Sequence, residues 1–189
     1  MRQKKKEKKK EFFIKAAKKT FIKRGIVSSN MEDISLKTGT SRTALYYYFN
    51  SKEEILKAII LGVKDKILKR LLKGIKDVKN KKDLLNLMIE TVFWLHKNDK
   101  ESMNIVLRLK LKDNESNLPQ LKEFLKHVEK KLLREIISLA KEKDVEFSEK
   151  EITLLFDYLT GLSFFIIIGM PDRFLHVMNK AFSKEFLKT

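Results

Sequence analysis

Apolar residues in this chain recur at intervals of three and four, and that period constrains the fold more than any other feature. Between residues 51 and 73, Ile55, Leu56, Ile59, Ile60, Val63, Ile67 and Leu71 draw one stripe along a helix long enough to join two modules. Phe13, Ala17 and Phe21, with Ile14 beside them, draw another on a first helix over 7–24. The same period marks helices at 83–97, 101–111, 120–143, 148–168 and 172–188, with a polar break over 112–119 and a capping-box spacing at Ser148 and Glu151. Only six Gly and two Pro punctuate 189 residues. The expected class is therefore all-α, with about nine helices.

The segment between the first and fourth helices is built differently. Ser29 with Glu32 three residues on predicts a capped second helix of about two turns, with Met31, Ile34 and Leu36 inward and Gly39 closing it in the left-handed region. Ser41 predicts the cap of a third short helix over 42–49, and Asn50 or Ser51 the cap of the fourth. Neighbours on a helix point about 100° apart, so Leu45 and Phe49 share an inward face while Tyr46 and Tyr47 are turned elsewhere. Short helix, glycine turn and short helix make a helix-turn-helix pattern.

Charge favours the same end of the chain. Residues 1–52 hold fifteen Lys or Arg against four Asp or Glu, a net of +11 out of the formal +17. Such an end suits a polyanion, either a DNA backbone or an anionic membrane surface. From Lys69 to Lys150 the lysines are interspersed with acids and read as a solvated surface.

Other classes fit poorly. There is no Cys, so disulfides and thiolate chemistry are excluded. No phosphate loop, HExxH or nucleophile elbow is present, so no enzyme is expected and no cofactor with it. His96, His127 and His176 lack a second ligand at metal spacing, which predicts no metal site. The apolar stretch Ile152–Met170 is interrupted by Thr153, Asp157 and Thr160, and reads as a core or interface helix rather than a membrane span. With no export signal legible after the basic N-terminus, the expected location is the cytoplasm.

The run "FIKRG" followed by "MEDISLKTGTSRTALYYYFNSKEEILKAII" resembles the N-terminal DNA-binding domain of the tetracycline-repressor (TetR) family of transcription regulators. Phe21, Gly25, Ile34, Gly39, Ser41, Leu45, Tyr46, Tyr48, Phe49, Lys52, Glu53 and Leu56 carry the likeness, over about a quarter of the chain. Thr40, Ser35 and Ala44 depart from the usual residues, which leaves the operator sequence open.

The resemblance implies a helix-turn-helix DNA-binding domain over 1–50 and an effector-binding and dimerisation domain over 51–189. Arg42 and Thr43 open the recognition helix, where an arginine meets guanine or a phosphate. Ala44, Tyr46, Tyr47, Tyr48, Lys52 and Asn30 complete the DNA-facing candidates. By this likeness Tyr48 takes either a phosphate contact or a packing role, and Lys52 holds phosphate. An effector pocket is expected to draw on Phe93, Trp94, Met103, Leu107, Phe124, Phe156 and Phe165, with His96, His127 or Tyr158 as polar contacts, although each is also a candidate for plain core. A homodimer is expected through the last two helices, using Ile152, Leu155, Phe156, Leu159, Leu162, Ser163, Ile166 and Ile167 with Phe174, Leu175, Met178, Phe182 and Phe186. The implied function is a ligand-responsive regulator, a repressor released from a palindromic operator by a small, largely apolar effector. The alternative is a basic helical protein that binds DNA or membrane surfaces without sequence preference.

Overall fold

The protein, described by a computed structural model over residues 2–111 and 119–187, has helices as its only regular structure among those residues. Helix α1 (Arg2–Arg24) leads into α2 (Met31–Thr38), α3 (Arg42–Tyr46) and α4 (Lys52–Gly74). After a 3-10 turn at Ile75–Asp77 come α5 (Lys81–Asn98), α6 (Lys100–Leu111), α7 (Pro119–Lys141), α8 (Glu149–Ile167) and α9 (Asp172–Phe186). The expected polar break lies, but for Pro119, outside the described residues. Among the described residues no helix is long and apolar enough to cross a membrane, the Ile152–Met170 stretch included.

Local chemistry sets the ends of the short helices and corrects several expectations. Helix α1 starts at Arg2, ahead of its apolar stripe, because Lys, Glu and Gln propagate a helix well without burial. Asn30, not Ser29, caps α2: its Oδ1 accepts from Asp33 N at 2.9 Å while Asp33 Oδ2 accepts from Asn30 N at 3.0 Å. The capping box is thus displaced by one residue. Ser29 is buried, and its hydroxyl donates to Gly25 O at 2.5 Å across the preceding turn. With Met31, Ile34 and Ser35 inward, Leu36 lies a further 100° round and is 74% exposed. Gly39 closes α2 at φ +63°, where a side chain is strained. Helix α3 ends at Tyr46 rather than Phe49, since the amides of Tyr48 and Phe49 both turn back to Leu45 O at 2.9 and 3.1 Å. Ser51 caps α4, accepting from Glu54 N at 3.3 Å.

Two large apolar cores follow, with a small third cluster of Val63, Leu95 and Met103. Phe13, Ala17 and Phe21 of α1 meet Ile34, Leu45 and Phe49 and the first half of α4, through Ile55, Leu56, Ile59 and Ile60. Ile105 and Leu109 of α6 and Leu121, Leu125 and Val128 of α7 belong to the same core. The second core gathers Leu71 of α4 with Leu84, Leu85 and Met88 of α5, Leu132 and Ile136 of α7, and Leu155 and Leu162 of α8. Helix α4 therefore has one end in each core. Burying a phenylalanine such as Phe13 or Phe21, which expose no surface, is worth about 3 to 5 kcal/mol against alanine.

The last two helices are joined by chemistry that the sequence did not reveal. Tyr158 stacks on Phe182, ring centroids 3.7 Å apart, and hydrogen-bonds Asn179. Burial pushes its phenol up to about 12. Ile152, Leu155, Leu162 and Ser163 of α8 and Leu175 and Phe186 of α9, expected on an outward face, are buried within the chain. The exposed apolar strip consists instead of Leu154 and Phe164 on α8, Ile168 just past its end, and Phe174 and Val177 on α9. The stripe rule finds the apolar arc of a helix but not which edge of a wide arc faces out.

Candidate nucleic-acid interface and effector cavity

Ser41 starts α3 by accepting from Ala44 N at 3.1 Å, which sets Arg42 and Thr43 in its exposed first turn. Arg42 Nη1 lies 3.6 Å from Glu32 Oε2, with both side chains more than half exposed. Such a pair is worth under about 1 kcal/mol, so the guanidinium is readily available to another acceptor. Ala44 is half-buried behind it. Leu45 and Phe49 are buried, whereas Tyr46 and Tyr47 are 41% and 67% exposed. An exposed phenol offers a flat apolar face and a hydroxyl to a sugar-phosphate backbone.

Tyr48 and Lys52 are engaged with the protein itself. Tyr48 is half-buried, its ring 5.4 Å from Phe13 and 5.0 Å from Tyr47. Lys52 Nζ donates to Ile26 O at 2.9 Å, Val27 O at 3.2 Å and Ser29 O at 2.9 Å. An ammonium has three donors, and all three are used on the α1–α2 turn. Asn30 is engaged as the α2 cap. Arg24 of α1 pairs with Asp33 in that same turn.

A cavity of about 140 Å³ lies among α4, α5, α6, α7 and α8. Its wall is chiefly aliphatic, and a cavity of that size lined by such residues accepts a molecule of benzene's dimensions. Of the effector candidates, Met103, Leu107 and Phe156 line it. The other candidates do not. Trp94 lies under Arg70, 5.3 Å from ring centroid to guanidinium carbon, and Phe124 lies under Lys57 at 5.3 Å. Phe165 packs edge-on to Phe174, and Phe93 packs against the second core. His127 is exposed on α7. His96 is buried with neither ring nitrogen hydrogen-bonded, and burial, helped by Lys100, lowers its pKa to about 4, so it is neutral at pH 7.

The polar groups that do border the cavity were not singled out by pattern. Lys110 of α6 is bonded to Glu129 of α7 at 3.0 Å and to Thr160 of α8 at 2.9 Å, and Lys64 of α4 pairs with Glu135 of α7 at 3.2 Å. Lys110, Lys64, Glu129, Thr160, Thr91 and Ser163 all border the space. Each lysine is balanced by a glutamate, so the rim is locally neutral.

Helix α6 connects this cavity to the first core, which holds the helix-turn-helix. Met103, Val106, Leu107 and Lys110 border the cavity, while Ile105 and Leu109 are buried with Phe13 and Phe21. At its N-terminus Asp99 receives Lys18 of α1 at 2.9 Å and also Lys66 of α4.

This arrangement defines a helix-turn-helix protein with a separate cavity between its later helices. Residues 13–59 match the family model described as "Bacterial regulatory proteins, tetR family", and the chain's N-terminal domain is of the TetR family. The HTH-type transcriptional regulator TtgR of Pseudomonas putida is 38% identical over 47 residues, 25% of this chain and 22% of TtgR, so the chain matches under a quarter of that relative's length. The fold extends much further. The fatty acid degradation regulator FadR of Bacillus halodurans superposes with a TM-score of 0.75 at 20% identity, over 95% of this chain and 94% of its own. FadR of Bacillus subtilis, solved in complex with stearoyl-CoA, gives 0.70 at 19% identity, over 94% and 95%.

Proposed function

We propose that the chain is an effector-responsive transcriptional repressor that binds a palindromic operator as a homodimer and leaves it when a small, largely apolar molecule fills the cavity. The observation that carries this reading is the two-sided α6, which borders the cavity with some side chains and is built into the DNA-binding core with others. A molecule that pushes on Met103 or Leu107 acts on the helix that holds Ile105 and Leu109, and through them on α1. The acyl-CoA bound by the Bacillus subtilis FadR is in keeping with an apolar-chain effector. The exposed strip of Leu154, Phe164, Ile168, Phe174 and Val177 supplies a self-complementary face for a two-fold dimer. Two recognition helices then stand about one DNA turn apart, roughly 34 to 36 Å.

The test is a selection on random duplexes. Recovery of a palindrome whose binding survives competitor DNA, and is lost on Arg42→Ala with Tyr46→Ala while the protein stays folded, supports the regulator. Uniform affinity for all sequences that collapses with salt would instead mark a nonspecific basic binder.

A further inference from the structure

We propose that the first turns of α1, residues 2–12, are a second and sequence-independent DNA contact that grips phosphates flanking the half-site met by α3. The proposal rests on the DNA-binding reading above and adds to it a surface outside the recognition helix. These residues precede the segment matched by the family model, which begins at residue 13. They carry seven basic residues against Glu7 and Glu11.

Geometry ties the strip to the DNA-facing end. Lys6 Nζ stands 5.5 Å from the Tyr47 ring centroid, and Lys10 Nζ stands 5.5 Å from that of Phe49. The start of α1 thus runs beside the end of α3, next to Tyr47, the most exposed of the neighbouring tyrosines. Lys4, Lys5, Lys6 and Lys8 are all exposed. A helix fixes their spacing where a loose arm would not.

Electrostatics then selects the partner. Lys4 with Lys8, Lys5 with Lys9, and Lys6 with Lys10 are like-charge pairs four residues apart, each unfavourable on a helix. The first turn has no acidic residue to offset the positive end of the helix dipole. The strip is therefore under repulsion in the free protein, and a row of phosphates relieves it. A membrane surface would bind an amphipathic helix through an apolar face, but in residues 2–12 Phe12 is the single apolar side chain, too little to form one. The duplex is the better fit.

The experiment compares the full chain with Lys4→Gln, Lys5→Gln, Lys8→Gln, which keeps helix propensity. Affinity for the selected operator is measured against salt concentration. Loss of each phosphate contact lowers the slope of log K against log salt by about 0.9. The expected result is a shallower slope with the preference for operator over random duplex retained. Trimming the flanking base pairs should reproduce the loss in the parent chain and add none in the variant. A matched control, Lys126→Gln, Lys130→Gln, Lys131→Gln on α7, should leave the slope unchanged. An unchanged slope in the α1 variant, or an equal fall in the α7 control, overturns the proposal. So does a variant that loses only binding to anionic phosphatidylglycerol vesicles. If the parent chain selects no palindrome, the regulator reading fails by itself, while the slope on random duplex still tests the α1 strip.

Discussion

Lys18 Nζ on α1 lies 2.9 Å from Asp99 Oδ1 at the corner between α5 and α6, and this contact adds a charge link to the apolar packing between α1 and α6. Lys66 of α4 meets the same carboxylate, whose side chain is 9% exposed. Burial alone would raise the Asp99 pKa, but hydrogen bonds from Lys66, Lys18 and Ser102 outweigh it and hold the group at about 2.

A carboxylate held below its unfolded value contributes stability that is present above pH 3.8 and is lost as pH falls toward 2. After solvent screening, the contribution is on the order of 1 to 2 kcal/mol. Denaturant unfolding between pH 5 and 2 should show this loss in the parent protein and a smaller one in Asp99→Asn. Because the neutral amide leaves two lysines without a counter-charge, the variant should also be less stable at pH 7.

His96 titrates in the neighbouring window. Its folded value of about 4 lies below the ordinary 6.5, so the unfolded chain takes up the proton first and stability falls as pH drops from 6.5 toward 4. The loss approaches about 3 kcal/mol at the low end. Replacement of His96 with Phe should flatten the stability profile over that range, and a profile with the parent's slope would show that another group is responsible.

Tyr46 and Tyr48 should separate binding from folding. Tyr46→Ala removes an exposed ring and should change stability by under about 0.5 kcal/mol while weakening operator binding. Tyr48→Ala opens the packing against Phe13 and should cost roughly 2 kcal/mol in unfolding experiments.

Lys52→Met leaves three carbonyls of the α1–α2 turn without their donor. The expected cost is about 1 to 3 kcal/mol in stability. The salt slope of DNA binding should stay as it was, whereas a slope shallower by about one would assign Lys52 to a phosphate.

Filling the cavity offers a further test of its role. Val106→Phe adds volume to an aliphatic space of about 140 Å³ on the α6 side. The variant should keep operator binding and lose its release by effector, measured by fluorescence anisotropy of labelled operator.

Period alone made much of the fold legible. Leu45 and Phe49 were assigned inward from their spacing, and both are buried. The cap of α2 was misplaced because Ser29 and Asn30 are both good caps and each has an acid three residues on; spacing cannot choose between adjacent frames. The bonds of Lys52 depend on three carbonyls brought together by a turn some 25 residues earlier, which no local pattern encodes. Most of the effector candidates lie away from the cavity for a chemical reason. Large aromatics were chosen, yet Phe124 and Trp94 sit against cations and Phe165 against another ring, while the space itself is lined by aliphatic side chains with Phe156 as the one aromatic among the described residues.

Helix α4, 23 residues long, has one end in each core. At about 1.5 Å per residue it is a rod of roughly 34 Å, so a tilt of about 5° pivoting at one end carries the other end about 3 Å. That is close to the rise of one base pair. In the proposed regulator, a displacement too small to disturb the packing around the cavity would be magnified, at the far end of the rod, into a mismatch of register with the duplex.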